Sequence, residues 1–296
     1  VKGGAVYSEV VDHTSIIQFI EKRFKVKCPN ISPWRRAITG DLTHAFDFNS
    51  APDYSWPLLP DTSNYVEEAE RECADLPSPK VPIKQAMPSQ EEGTKLARAL
   101  PYKFEIEDSV SSDGKSITLK MKNVGTLGVV FHVYDYATSN GETMAPPKKY
   151  TIEAGKELDD VWESVNGTAT FNLGLYGPNG FVRMYKGNGI AATGPTIAMK
   201  EDAEGQNLVF VASPNSNNNN GCTFSTAIKD NAYNFGGPWK LDANKLSLQQ
   251  AISIASSGNW YDFTVETTSM CGNDATVTFA KTYMGKLETG KQTITD

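Results

Sequence analysis

Asp12, His13, Thr14 and Ser15 stand side by side in VVDHTSIIQFIEKRF, residues 10–24. Their types can do chemistry. A histidine titrates near neutrality and can act as a general acid, a base or a metal ligand. A neighbouring aspartate can orient it or hold a cation, and hydroxyls become nucleophiles once a base activates them. Their position favours a simpler role. Residues adjacent in sequence rarely face one another, and a catalytic triad draws its members from separate segments. Directly ahead of an apolar-periodic run, Asp, Thr and Ser accept the first N–H groups of a helix. No GxSxG elbow, HExxH pair or Walker loop occurs in the chain. Asp12 and His13 are therefore the site candidates, as supports standing behind the reacting groups.

Other residues with chemical potential read first as structure. His44, in GDLTHAFDF, and His132, in VVFHVYDY, are the remaining histidines. With three histidines so far apart, a His-rich metal site within the chain is not expected. The aromatics of Asn259-Trp-Tyr-Asp-Phe and Asn234-Phe-Gly-Gly-Pro-Trp could take a choline head group or a sugar. Packing in a sandwich core is the other use of such rings. Asp159-Asp160 and Asp230-Asn231 offer hard oxygens for calcium, but without EF-hand spacing they read as turns. Cys28, Cys73, Cys222 and Cys271 form no CxxC pair. Three pairings are open, Cys28–Cys73 with Cys222–Cys271 among them, and buried free thiols are the alternative.

The elements that must carry these residues change along the chain. Ile16, Ile17, Phe19, Ile20 and Phe24 recur at helical spacing and make one apolar face. Ser15 and Gln18 have capping-box spacing, and Pro29 and Pro33 require the helix to end near Val26. Residues 51–101 are rich in proline and charge. They read as an extended connector with two short helical pieces, Asn64–Ala74 and Ser89–Leu100. From residue 102 alternating runs appear, such as 116–122, 128–134, 169–176 and 180–185. The pattern recurs, Tyr185-Lys-Gly corresponding to Tyr283-Met-Gly. Two β-sandwiches are expected, 102–195 and 196–296, with PNSNNNNG (residues 214–221) a polar loop in the second.

Bulk properties narrow the partners. The chain carries 28 Lys+Arg against 35 Asp+Glu, a net charge of −7. That balance gives no electrostatic reason to bind nucleic acid or an anionic membrane face. The cations at Lys22, Arg23, Lys25 and Lys27 read as a solvated helix end. No apolar run approaches the roughly 20 residues of a membrane span. The first residue is Val1, which reads as the interior of a longer protein, so a missing leader says nothing about secretion.

GGAVYSEVVDHTSIIQFIEKRF, followed by CPNISPWRRAITGDLTHAFDF, resembles the closing part of the catalytic domain of bacterial phosphocholine-preferring phospholipases C. These belong to a phosphoesterase family that also contains acid phosphatases. SGNWYDFTV and FAKTYMGKLETG resemble the duplicated C-terminal domains of the same enzymes, with Asn259 as an insertion. The resemblance implies a mixed fold. The end of an alkaline-phosphatase-like α/β catalytic domain (1–50) is followed by the Pro-rich connector (51–101) and the two all-β sandwiches. It implies a secreted or periplasmic hydrolase that converts phosphatidylcholine-type lipids to diacylglycerol and a phosphorylated head group. Such enzymes use a hydroxyl nucleophile and a divalent metal held by carboxylates and Asn. Those motifs lie ahead of the segment matched here, so no metal or cofactor is expected to bind within this chain. The expected partners are the phospholipid and an N-terminal catalytic segment, covalently continuous or a separate chain. The alternatives are a non-enzymatic sandwich module for lipid, sugar or protein, and an acid phosphatase of the same family.

Overall fold

In the computed structural model, residues 4–48, 51, 54–55, 58–78, 80–86, 92–137, 145–213, 222–241, 248–271 and 276–296 are described. The chain begins with β1 (Ala5–Val6), α1 (His13–Phe24) and α2 (Pro33–Ile38), and continues to α3 (Tyr65–Asp75) and β2 (Leu96–Ala97). Strands then follow one another: β3 (Phe104–Val110), β4 (Ser116–Asn123), β5 (Val129–Asp135), β6 (Lys148–Ile152), β7 (Glu157–Glu163), β8 (Thr170–Tyr176) and β9 (Val182–Asn188). A single helical turn, α4 (Gly189–Ala192), leads to β10 (Thr196–Asp202), β11 (Asn207–Ser213), β12 (Cys222–Asp230), β13 (Trp239–Leu241) and β14 (Leu248–Ser253). The chain closes with β15 (Trp260–Cys271), β16 (Val277–Lys286) and β17 (Thr293–Ile294). It is mostly β-sheet with few helices, and the described residues do not form an α/β core.

The chain divides into two units, residues 1–46 with 94–296, and residues 47–93. In the smaller unit α3 forms close to the expected 64–74 and buries none of its residues. Glu67 and Glu68 in its first turn suit the positive end of the helix dipole. The expected helix 89–100 is not found among the described residues of that span. Leu96–Ala97 form β2 instead, parallel to β1 and antiparallel to β17. Pairing on both sides outweighs the local preference there.

Alternation produces the cores. On β4, Ile117, Leu119 and Met121 are fully buried and alternate with half-exposed neighbours, as period-2 side chains must. They join Phe131, Leu173, Leu175 and Tyr185 in one cluster, fed by the β3-β4-β7 sheet and by strands β5, β6, β8 and β9. A second cluster gathers Leu208, Phe210 and Ile252 from the β10-β11-β14 sheet against Ile228, Phe263 and Tyr283. Each buried large side chain contributes about 1.5–3 kcal/mol.

The halves expected as 102–195 and 196–296 each hold one of these clusters, with Phe279 of the second half joining the first. One eight-stranded sheet, β13-β12-β15-β16-β9-β8-β5-β6, runs through both. Its seam is the antiparallel pair β9–β16, with Lys281 opposite Tyr185 and Tyr283 opposite Arg183. The two Tyr-x-Gly strands that marked the repeat thus pair with each other. Gly187, at φ 127°, makes this approach possible, because a Cβ there would lie 2.3 Å from the Thr278 carbonyl oxygen.

Cys28 and Cys73 are free thiols, so the Cys28–Cys73 bridge is not formed. Cys28 contributes through its backbone. Its N–H donates to the Glu21 carboxylate and its carbonyl accepts from Arg36 at 2.7 Å. Arg36 also grips both Glu21 oxygens, at 2.7 and 2.9 Å, and holds that carboxyl down to about 2. Cys222 and Cys271 stand opposite each other in the β12–β15 register. PNSNNNNG lies outside the described residues.

Candidate functional site

Asp12 starts α1 because its backbone is extended, at φ −140°, while its carbonyl already accepts from the Ser15 N–H. Its carboxylate accepts from the Thr14 N–H at 2.7 Å and the Thr14 hydroxyl at 2.6 Å. In return the Asp12 N–H donates to the Ser15 hydroxyl at 3.1 Å. This reciprocal pair is the capping box, which corrects the Ser15–Gln18 assignment. Gln18 instead donates to the Thr39 hydroxyl at 2.9 Å. The other Asp12 oxygen lies 3.1 Å from Arg35. The Thr14 hydroxyl first, then backbone N–H groups and Arg35, hold the Asp12 carboxyl below the usual carboxylate range.

His13 is exposed and has no hydrogen-bond or ion-pair partner among the described residues. The structure thus joins Asp12 to Thr14, Ser15 and Arg35, and does not join it to His13. Asp12→Ala is expected to lower folding stability by about 1 kcal/mol. His13→Ala is expected to change it by less than about 0.5 kcal/mol. Thermal unfolding of the two variants checks both values.

A pair that sequence reasoning missed lies just before the helix. The Glu9 carboxylate is only 2% exposed and sits 2.7 Å from His44 Nδ1. Thirty-five positions separate the two residues, so no local pattern announces the contact. Room for the carboxylate comes from Gly40, where a Cβ would fall 1.8 Å from Glu9 Oε1. Tyr7 lies beside Glu9, and burial together with that carboxylate pushes its phenol up. The strand end is pinned by the Val10 N–H donating to the Tyr102 hydroxyl at 2.8 Å and the Gly40 N–H donating to the Val10 carbonyl at 2.9 Å. A buried carboxylate at Nδ1 orients the imidazole. A resident metal requires a third donor. No group of three or more His, Cys, Asp or Glu among the described residues is placed to hold one.

The other candidates have structural positions. Asp230 accepts from the N–H groups of Ala232 and Tyr233 at 3.2 and 3.1 Å, a turn cap. Asp160 accepts from Lys148 and the Tyr150 hydroxyl, at 2.7 and 2.6 Å. Phe235 and Trp239 pack on Phe263 in the core, and Tyr261 is buried. His132 alternates with the buried Phe131 and Val133, on the face of β5 away from the core.

One face remains uncovered. On the apolar side of α1, Ile16, Ile20 and Phe24 are 58, 49 and 64% exposed. Ser15 is the helix's buried residue. Phe19 of that face stacks on Phe46, with ring centroids 5.0 Å apart. Val10, Val11 and Val26 are exposed as well.

Residues 96–188 match the family described as bacterial phospholipase C, C-terminal domain. Over its whole length the chain is 37% identical to a non-hemolytic phospholipase C of Pseudomonas aeruginosa and 35% identical to one of Burkholderia pseudomallei. It is 30% identical to a hemolytic phospholipase C of Pseudomonas aeruginosa. The chain spans 41, 41 and 43% of the lengths of these relatives.

Proposed function

The chain belongs with the bacterial phospholipases C as a C-terminal portion, and from that premise we propose that the full enzyme hydrolyses the phosphodiester bond of phosphatidylcholine-type lipids. The products are diacylglycerol and a phosphorylated head group. The nucleophile and a divalent metal belong to the N-terminal segment, and this chain completes the catalytic domain with α1 and follows it with the sheets. The observation that carries this reading is the open apolar face of Ile16, Ile20 and Phe24. Helices bury such a face against a core, and here the core is the absent segment. Glu9 and His44 then lie at the border with that segment. Cys222 and Cys271, opposite each other on neighbouring strands, form a disulfide in this reading, suited to a secreted or periplasmic enzyme.

The test mixes this chain with the segment that precedes the matched region in the Pseudomonas aeruginosa relative. Neither part alone should turn over a phosphocholine ester, and the mixture should. Ile20→Glu with Phe24→Glu should weaken assembly by about tenfold or more, since two charges would be buried. The melting of this chain alone should hardly change, because both positions are exposed. Turnover by the chain alone, or a double variant that assembles as tightly as the parent, would overturn the proposal.

A further inference from the structure

Two strand edges that are unpaired among the described residues share one cavity. Among the described residues, β3 is the outer strand of the β3-β4-β7 sheet and β10 the outer strand of β10-β11-β14. The cavity, about 490 Å³, is lined by the consecutive residues 103–108 and 196–201, together with Arg183 and Tyr283. Six residues of strand extend about 20 Å, so the cavity follows both edges along their length. Native sheets usually cover or blunt such edges, because each offers a row of free N–H and C=O groups.

The cavity also holds an incompletely matched pair of charges. Arg183 is only 3% exposed. Its guanidinium donates to the carbonyls of Val182 and Met284, at 2.8 and 3.0 Å, and to the Tyr261 hydroxyl at 3.1 Å. It lies 4.1 Å from the Phe181 ring centroid. No carboxylate lies within 4.0 Å of it among the described residues. A guanidinium has five donors, so some remain for a ligand. Among the described residues, Glu201 accepts a hydrogen bond only from the Tyr261 hydroxyl, at a long 3.4 Å, and burial raises its carboxyl despite Arg183. Burying charged groups costs free energy unless hydrogen bonds complete them.

We propose that this cavity takes an uncharged, extended peptide segment of another polypeptide, added as a strand between β3 and β10. A peptide unit carries one acceptor and one donor. Its carbonyl would accept from Arg183, its N–H would donate to Glu201, and the units on either side would pair with the two edges. The lining carries Lys103, Arg183 and Lys200 against Glu105, Glu107, Asp108 and Glu201, a near balance that suits an occupant without net charge. A phospholipid would leave both edges unpaired, because neither its head group nor its acyl chains carry a row of alternating donors and acceptors. The site is independent of the hydrolase reading.

Hydrogen exchange of the full chain tests it, with a pool of capped hexapeptides randomised over uncharged residues at millimolar concentration. Amides of 103–108 and 196–201 should exchange at least about tenfold more slowly with the pool present. The same pool N-methylated at alternate amides should protect neither run, because it cannot donate. Glu201→Gln keeps the shape and loses the charge, and should shift the midpoint of protection by about tenfold. No protection by the pool, equal protection by the methylated pool, or an unchanged midpoint in the variant would each overturn the proposal. Protection by phosphatidylcholine vesicles in place of the pool would overturn it in favour of lipid.

Discussion

Lys281→Met is expected to cost the chain about 3–5 kcal/mol of folding stability, the usual penalty for stranding one member of a buried ion pair. Lys281 on β16 bonds Asp108 on β3, across 173 positions of sequence. The two side chains are 12 and 7% exposed, so little water reaches either. Without the ammonium, the Asp108 carboxylate stays buried and uncompensated. Urea unfolding measures the loss, and Asp108→Leu combined with Lys281→Met should recover most of it. A loss below about 1 kcal/mol in the single variant would mean the pair is effectively solvated. The same contact fixes a pH dependence. Burial is the largest single influence and lowers the Lys281 pKa, but the Asp108 charge, Tyr283 and the hydrogen bond to Asp108 together outweigh it, and the value rises above the ordinary 10.5. A cation raised on folding stabilises fully below its unfolded pKa. This contribution is therefore complete below about pH 10 and is lost as the pH rises through the folded value.

Phe263→Ala is expected to cost a similar 3–5 kcal/mol, through a different term. Phe263 is fully buried on β15. Its ring centroid lies 5.6 Å from that of Phe210, 5.7 Å from Phe235 and 6.2 Å from Trp239. Truncation opens a cavity at the meeting point of the β10-β11-β14 sheet and the long sheet, and it removes the support beneath Phe235 and Trp239. Chemical denaturation measures the loss, and Phe263→Leu, which keeps more volume, should lose less. Equal losses in the two variants would show that the site collapses around the deletion.

Some of this was legible in the sequence for identifiable reasons. Strand alternation in 116–122 depends on a period of two that no neighbour can alter once one face is buried. Asp12 reads as a cap because an acceptor ahead of a helical run has few other uses. The position of the capping box was missed by one turn, because Ser15 is both a plausible N-cap and a good N3 partner, and only the extended backbone at Asp12 decides. Glu9 and His44 were illegible as a pair, since a glycine at 40 had to clear space between segments far apart in sequence. The β9–β16 seam was hidden for the opposite reason. A repeat in sequence states that two segments are alike and is silent on whether they touch. The apolar face of α1 is legible as a face from its period, and a period is silent on what covers it.

The seam has a consequence for how such a chain tolerates being cut or rearranged. Six consecutive residue pairs, from Phe279–Gly187 to Met284–Val182, hold the halves together. Severing the chain between residues 195 and 196 would leave β9 and β16 each with a bare edge of matching length. Those edges are complementary to each other and, in a concentrated sample, to the same edges of other copies. The duplicated halves are therefore poor modules to transplant singly. They behave as two parts of one closure, and copies with a loosened seam would tend to exchange halves and form swapped dimers or longer chains.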